Sequence, residues 1–145
     1  MADSLEQIDM EDKILNKSFM IVKHFLTNHS NRNLSNEICG FIGYDEKTKC
    51  YVATIEKNQA QDPKSFFSIN PASYLKFKSE YSLMGVFHSH VVGDESPSEF
   101  DIKMSESCCL SFIIYSINTN KFHIYEPKNQ DYDVKILERI KGKLK

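Results

Sequence analysis

The sequence predicts a single α/β domain built on a mixed central β-sheet flanked by helices. Three observations predict it. Short runs rich in β-branched and aromatic residues alternate with segments of helical periodicity. Two of the gaps between strand-like runs, residues 45–49 and 118–120, are polar turns of hairpin type. No repeat, low-complexity tract or internal linker divides the 145 residues, a length at which one core buries roughly 70% of the extended-chain surface. The domain is assigned to residues 12–145, and residues 1–11 read as an acidic disordered tail.

Each element has a local reason. Ile14, Leu15, Ile21, Val22, Phe25 and Leu26 fall at helical spacing, which places a first helix over residues 12–28. Residues 38–44 and 50–56 are strands joined by Asp45-Glu46-Lys47-Thr48-Lys49. Phe66, Phe67 and Ile69 make residues 66–69 a third strand. Pro71 suits the first position of a helix running to about residue 81, with Tyr74, Leu75 and Lys78 around its apolar face. Leu83-Met84-Gly85-Val86-Phe87 is a short buried strand, followed by a turn-like stretch from Gly93 to Pro97 and a polar helix over residues 98–107. Residues 110–117 and 121–126 form a second hairpin around Asn118-Thr119-Asn120. Residues 131–145 close the chain as a helix with Val134, Ile136, Leu137 and Ile140 on one face, and Lys141, Lys143 and Lys145 complement its C-terminal dipole.

Composition narrows the function classes. A net charge of −2 gives no electrostatic footprint for nucleic acid. No apolar run approaches the ~20 residues of a membrane span. The acidic, polar residues 1–12 make neither a signal peptide nor a presequence, so a cytoplasmic protein is expected. Cys39, Cys50, Cys108 and Cys109 show no C-x-x-C spacing, and the vicinal pair does not readily close an unstrained disulfide, so free thiols are expected. Cys39, two residues after Glu37, reads as core packing. His24 and His29 read as surface residues of the first helix and His123 as structural.

The chemistry lies in His88-Ser89-His90 and Asp101. Side chains at i and i+2 of a strand share a face, so both imidazoles at this strand end can reach one cation. A carboxylate across the loop supplies a third ligand, and an N/N/O set of three leaves a fourth position for water, as in catalytic zinc sites. Ser98-Glu99-Phe100-Asp101 also has a structural reading, because Ser98 can cap the helix while Asp101 reaches back in a capping box. The two readings are compatible, since a first-turn carboxylate projects from the helix start. Glu37, just before the strand at 38–44, is the candidate general base.

Glu37, His88-Ser89-His90, Ser98 and Asp101 together resemble the JAMM motif of the MPN-domain metallo-isopeptidases, Glu…His-x-His-x(10)-Asp. Ten residues separate His90 from Asp101 here, as that pattern requires. Glu37-Ile38-Cys39-Gly40-Phe41-Ile42-Gly43 is similar to the first core strand of the prokaryotic branch, and residues 58–71 are similar to its middle segment. The likeness runs from about Phe19 to Pro127. One position departs: the usual proline after the second histidine is Val91. The resemblance implies an MPN-type domain with cytidine-deaminase-like layering. It implies one Zn2+ per chain held by His88, His90 and Asp101, Glu37 acting on the water at the open position, and Ser98 stabilising the oxyanion.

The resemblance also frames the substrate. Family members that cleave ubiquitin chains carry an insertion after the metal-binding aspartate, but only eight residues, Ile102 to Cys109, precede the next strand here. Residues 107–116 are instead similar to the JAMM domain of phage tail-assembly proteins. Stand-alone bacterial relatives release ubiquitin-like or sulfur-carrier proteins from C-terminal fusions. The expected partner is therefore a protein or peptide with an extended tail. The alternatives are a phage tail-assembly or peptidoglycan-directed peptidase, which would place the chain in a virion, or a non-catalytic MPN scaffold. A zinc deaminase would need a Pro-Cys-x-x-Cys ligand pair, which this chain lacks.

Overall fold

Long-range pairing, not local periodicity, decides the first element. In the computed structural model, which describes residues 12–130 and 134–145, Lys13–Asn16 is a strand, β1, rather than the start of a helix. It pairs antiparallel with the later strand β3 (Cys50–Glu56), Ile14 lying opposite Ala53. Asn16 then accepts a hydrogen bond from the Ser18 amide (2.9 Å), turning the chain into α1 (Phe19–Asn31). The predicted helix thus begins seven residues late and runs three further. Its buried stripe, Phe19, Val22, Leu26 and Ser30, keeps the 3–4 spacing of a helix on a sheet.

The other strands are β2 (Cys39–Asp45), β4 (Ser82–His90), β5 (Phe112–Ser116) and β6 (Lys121–Tyr125). They form one six-stranded sheet in the order β1-β3-β2-β4-β5-β6. Both predicted hairpins, β2–β3 and β5–β6, are present and antiparallel. Among the described residues, only β4 and β5 run parallel, with Val86 opposite Phe112 and His90 opposite Ser116. A parallel pair requires a crossover, here the loop after His90 and α3 (Glu99–Cys108). That crossover is the reason a helix start returns to the end of β4.

Helices cover both sheet faces. On one, Phe19, Val22 and Leu26 pack with Met84, Phe87 and Ile113 and with Ile136, Leu137 and Ile140 of α4 (Val134–Lys141). A 3-10 turn, Gly142–Leu144, follows. On the other face, Phe41, Val52, Val86, Phe112 and Ile114 pack against Phe67 and against Phe77 of α2 (Pro71–Glu80). Gly43 is required there: an added Cβ would lie 2.7 Å from the Phe77 ring and 2.5 Å from the Ser82 carbonyl oxygen. The predicted apolar face of α2 is corrected, since Phe77 is its buried residue and Leu75 is 65% exposed.

Residues 66–69 are not a strand. They run as an extended strap whose backbone bonds to the Asn58 side chain and to Gln59 rather than to the sheet. Two expectations, the tail at residues 1–11 and the helix start at 131–133, lie outside the described residues. Among the described residues, no helix is long and apolar enough to cross a membrane.

Candidate metal centre

The alternation of β4 aims Val86, His88 and His90 at the face carrying Phe112 and Ile114, while Phe87 faces α1 and α4. His88 is fully buried, stacked on Phe67 (ring centroids 4.4 Å, 23° between planes) and edge-on to Phe112 (5.4 Å). His90, at the strand end, has its Nδ1 2.8 Å from the Asp94 carbonyl oxygen. Donation of the Nδ1 proton to that carbonyl fixes the ring and turns Nε2 inward, the arrangement by which proteins orient a histidine ligand.

Asp101 arrives from the first turn of α3, held by the predicted capping box. Its amide donates to Ser98 Oγ (3.1 Å) and the Ser98 amide donates to Asp101 Oδ2 (2.9 Å). The carboxylate then meets both imidazoles, with His88 Nε2 3.0 Å from Oδ1 and His90 Nε2 3.0 Å from Oδ2. The ligand atoms of His88, His90 and Asp101 lie within 4.8 Å of one another, and all three residues are buried.

The electrostatics suit a cation. Burial works to raise the Asp101 pKa, but the two imidazoles and the Ser98 amide outweigh it and hold the carboxyl well below the usual range. Burial lowers the His88 pKa and keeps that ring neutral, as a ligand must be. Burial also opposes protonation of His90, yet Asp101, the Asp94 carbonyl and Glu37 together raise its pKa. His88 Nδ1 has no hydrogen-bonded partner, and Nε2 faces Asp101 Oδ1 at 3.0 Å. Two imidazole nitrogens and a carboxylate that converge in a buried pocket fit a shared ion, and an N/N/O set fits zinc better than magnesium or calcium.

Glu37 lies beside this cluster. The antiparallel register that puts Cys39 opposite His88 carries Glu37 to the level of His90. Ile38 is locked to β4 on both sides, its amide donating to Ser89 Oγ (2.9 Å) and its carbonyl accepting from the Ser89 amide (3.0 Å). Only 7% of Glu37 is exposed, and burial pushes its carboxyl up to about 8, with His90 pulling it down and Asp101 pushing it further up. Ser98 lies at the exposed lip of the cluster. Cys39 packs in the core, and its Sγ lies 3.7 Å from the Glu56 carbonyl oxygen. The structure thus brings together all five residues picked out in the sequence. It adds Phe67, Asp94 and Ser89; Ser89 lies between the two histidines and Phe67 in the 58–71 segment that carries the resemblance, but no role in the site is readable for them from the sequence alone.

An apolar groove of about 350 Å3 opens beside the cluster, between the strap and α3. Phe67, Ile69, Tyr74, Met104, Leu110 and Phe112 line it, and Phe67 and Phe112 are also the rings against which His88 packs. A cleft of about 370 Å3 elsewhere, bordered by Asp12, Lys13, Glu56 and Glu80, contains none of the cluster residues. The chemistry, not the volume, marks the site.

A mixed sheet with two histidines at a strand end and an aspartate at the returning helix start defines a domain of the MPN class. The chain belongs to the family described as prokaryotic homologs of the JAB domain, which matches residues 22–128. No curated protein matches it. Among solved structures, the solution structure of protein DSY2949 from Desulfitobacterium hafniense is similar in fold (TM-score 0.57, 23% identity, covering 77% of this chain and 84% of that one).

Proposed function

We propose that the protein is a zinc-dependent peptidase or isopeptidase that cuts after the extended C-terminal tail of a ubiquitin-like or other small protein. The observation that carries this reading is Glu37, a buried carboxylate held beside a three-ligand cluster. A scaffold gains nothing from the cost of burying that carboxylate, whereas a hydrolase needs a base there.

His88, His90 and Asp101 would hold the ion, which when bound supplies a Lewis acid and lowers the pKa of a water toward ~7. Glu37 takes the proton of the attacking water as its oxygen adds to the scissile carbonyl carbon. It then returns that proton to the leaving amine as the C–N bond breaks. Ser98 Oγ uses a lone pair to accept from the Asp101 amide, which leaves its O–H proton for the developing oxyanion. Capping and catalysis thus use different sides of one hydroxyl.

The apolar groove gives the substrate its shape. Phe67 is the wall shared with His88, so an extended chain reaching the cluster lays a side chain into the groove. Small residues at the scissile bond with a bulky apolar residue a few positions upstream fit that layout. The test is a panel of modifier fusions and fluorogenic peptides incubated with zinc-loaded protein. Cleavage of Gly-ended tails with an upstream apolar residue supports the reading. Preference for charged residues on the acyl side with Gly-Gly tails left intact favours a tail-assembly or cell-wall peptidase, and zinc binding without any turnover favours a scaffold.

A further inference from the structure

The side chain of Asn58, two residues beyond β3, is bonded at every valence, and every partner is backbone. Its Nδ2 donates to the Glu37 carbonyl (2.9 Å) and to the Phe66 carbonyl (3.0 Å), with the Pro63 carbonyl at 3.5 Å. Its Oδ1 accepts from the Ala60 amide (3.0 Å) and from the Ser68 amide (3.1 Å). An amide group offers two donors and two acceptor sites, so the group is saturated. The partners are backbone groups of known polarity, which fixes which end is oxygen and which is nitrogen.

These bonds join two parts of the site that no regular element connects. Glu37 precedes β2 and lies outside the sheet, and its amide donates to the Pro63 carbonyl (2.7 Å). The segment from Ala60 to Ser68 has no strand or helix of its own and carries Phe67, the ring stacked on His88. One side chain therefore ties the backbone of the base to the strap that walls in a cluster ligand. Conformational freedom at Glu37 would otherwise cost rate, because a displacement of ~1 Å at a catalytic group can lose about a hundredfold.

We propose that Asn58 is a positioning residue: its amide sets where Glu37 stands relative to the His88–His90–Asp101 cluster by locking the Glu37 carbonyl to the 60–68 strap. The proposal rests on the peptidase reading, and its test has an arm that needs no substrate.

Amide hydrogen exchange is measured on the intact protein and on Asn58→Ala and Asn58→Asp, together with zinc content and steady-state kinetics. In Asn58→Ala, exchange at Glu37, Ala60 and Ser68 should accelerate by about tenfold or more while exchange across β4 and β5 stays at the parent rate. Zinc content should be unchanged and kcat should fall by about tenfold or more, because the ligands remain and the base is released. Asp keeps the acceptor oxygens and loses both donations, so Asn58→Asp should keep Ala60 and Ser68 protected, since the strap stays held, yet lose kcat as Ala does, since the Glu37 carbonyl is released. In a Glu37→Gln background the kcat cost of Asn58→Ala should largely vanish, since no base remains to be aimed.

Unchanged exchange at the three amides overturns the proposal whatever the activity. A loss spread evenly over the sheet, or a kcat loss that multiplies with that of Glu37→Gln, overturns it too, since either makes Asn58 structural only. Selective acceleration in Asn58→Ala, with a parent protein that cuts nothing, contradicts the peptidase reading and leaves standing the lock between the Glu37 carbonyl and the 60–68 strap.

Discussion

Replacing Glu37 with Gln separates the cost of the buried carboxylate from its use. The carboxyl is pushed from an ordinary value of 4.5 to about 8, chiefly by burial. The folded metal-free protein therefore holds this proton more tightly than the unfolded chain does. Such a group contributes stability that is fully present below about pH 4.5 and is lost as pH rises through about 8. At ~1.4 kcal/mol per pKa unit, a shift of this size places an upper limit on the order of 5 kcal/mol on the penalty once the carboxylate is charged. Gln keeps the shape without the charge. Metal-free Glu37→Gln should match or nearly match the parent at pH 5 and be more stable at pH 8.5, by roughly 1–3 kcal/mol as relaxation and water entry reduce the limit. Zinc loading should shrink the difference, because a cation beside the carboxylate stabilises its charged form. The same variant should lose ~100-fold or more in turnover with zinc content intact. The assay is urea unfolding at both pH values, with and without chelator. A stability difference of the same size at pH 5 and pH 8.5 refutes the reasoning.

Three further outcomes follow from the geometry. Ser98→Ala removes the acceptor of the Asp101 amide and should cost ~1 kcal/mol in urea unfolding. Its turnover should fall by roughly 10- to 100-fold through the lost oxyanion donor while zinc content holds, which steady-state kinetics and metal analysis check together. Phe67→Ala leaves a void beneath His88 and should cost ~3 kcal/mol and weaken zinc affinity in a competition titration; affinity equal to the parent would mean the stacked ring does not orient the ligand. Met104→Trp should fill part of the groove and reduce cleavage of substrates with a bulky upstream residue about tenfold more than of those with small ones. Competition assays with paired peptides read that ratio.

The site was more legible in the sequence than the fold around it, for a physical reason. The i, i+2 histidines at a strand end and the Ser-x-x-Asp of a helix start are local patterns, so spacing alone specifies where the side chains point. At β1, Ile14 and Leu15 fit a helix as well as a strand, and the deciding interaction is pairing with Val52 and Ala53 almost forty residues away. The strap at 66–69 has strand-like residues, but its backbone is bonded by the Asn58 side chain and by loop backbone instead of a neighbouring strand. Asn58 opens the 58–71 segment that carries the resemblance, but its role is not legible from spacing, because its partners come from Glu37 and from a loop without periodicity. Val91, where the family has proline, changes no ligand: His90 is still fixed through the Asp94 carbonyl.

Metal analysis of the purified protein and of His90→Ala tests the central claim most directly, that His88, His90 and Asp101 form one zinc site. The account predicts about one zinc per chain in the parent, and loss of both zinc and hydrolysis in the variant, because two remaining ligands do not hold the ion. Full zinc occupancy in His90→Ala would contradict it.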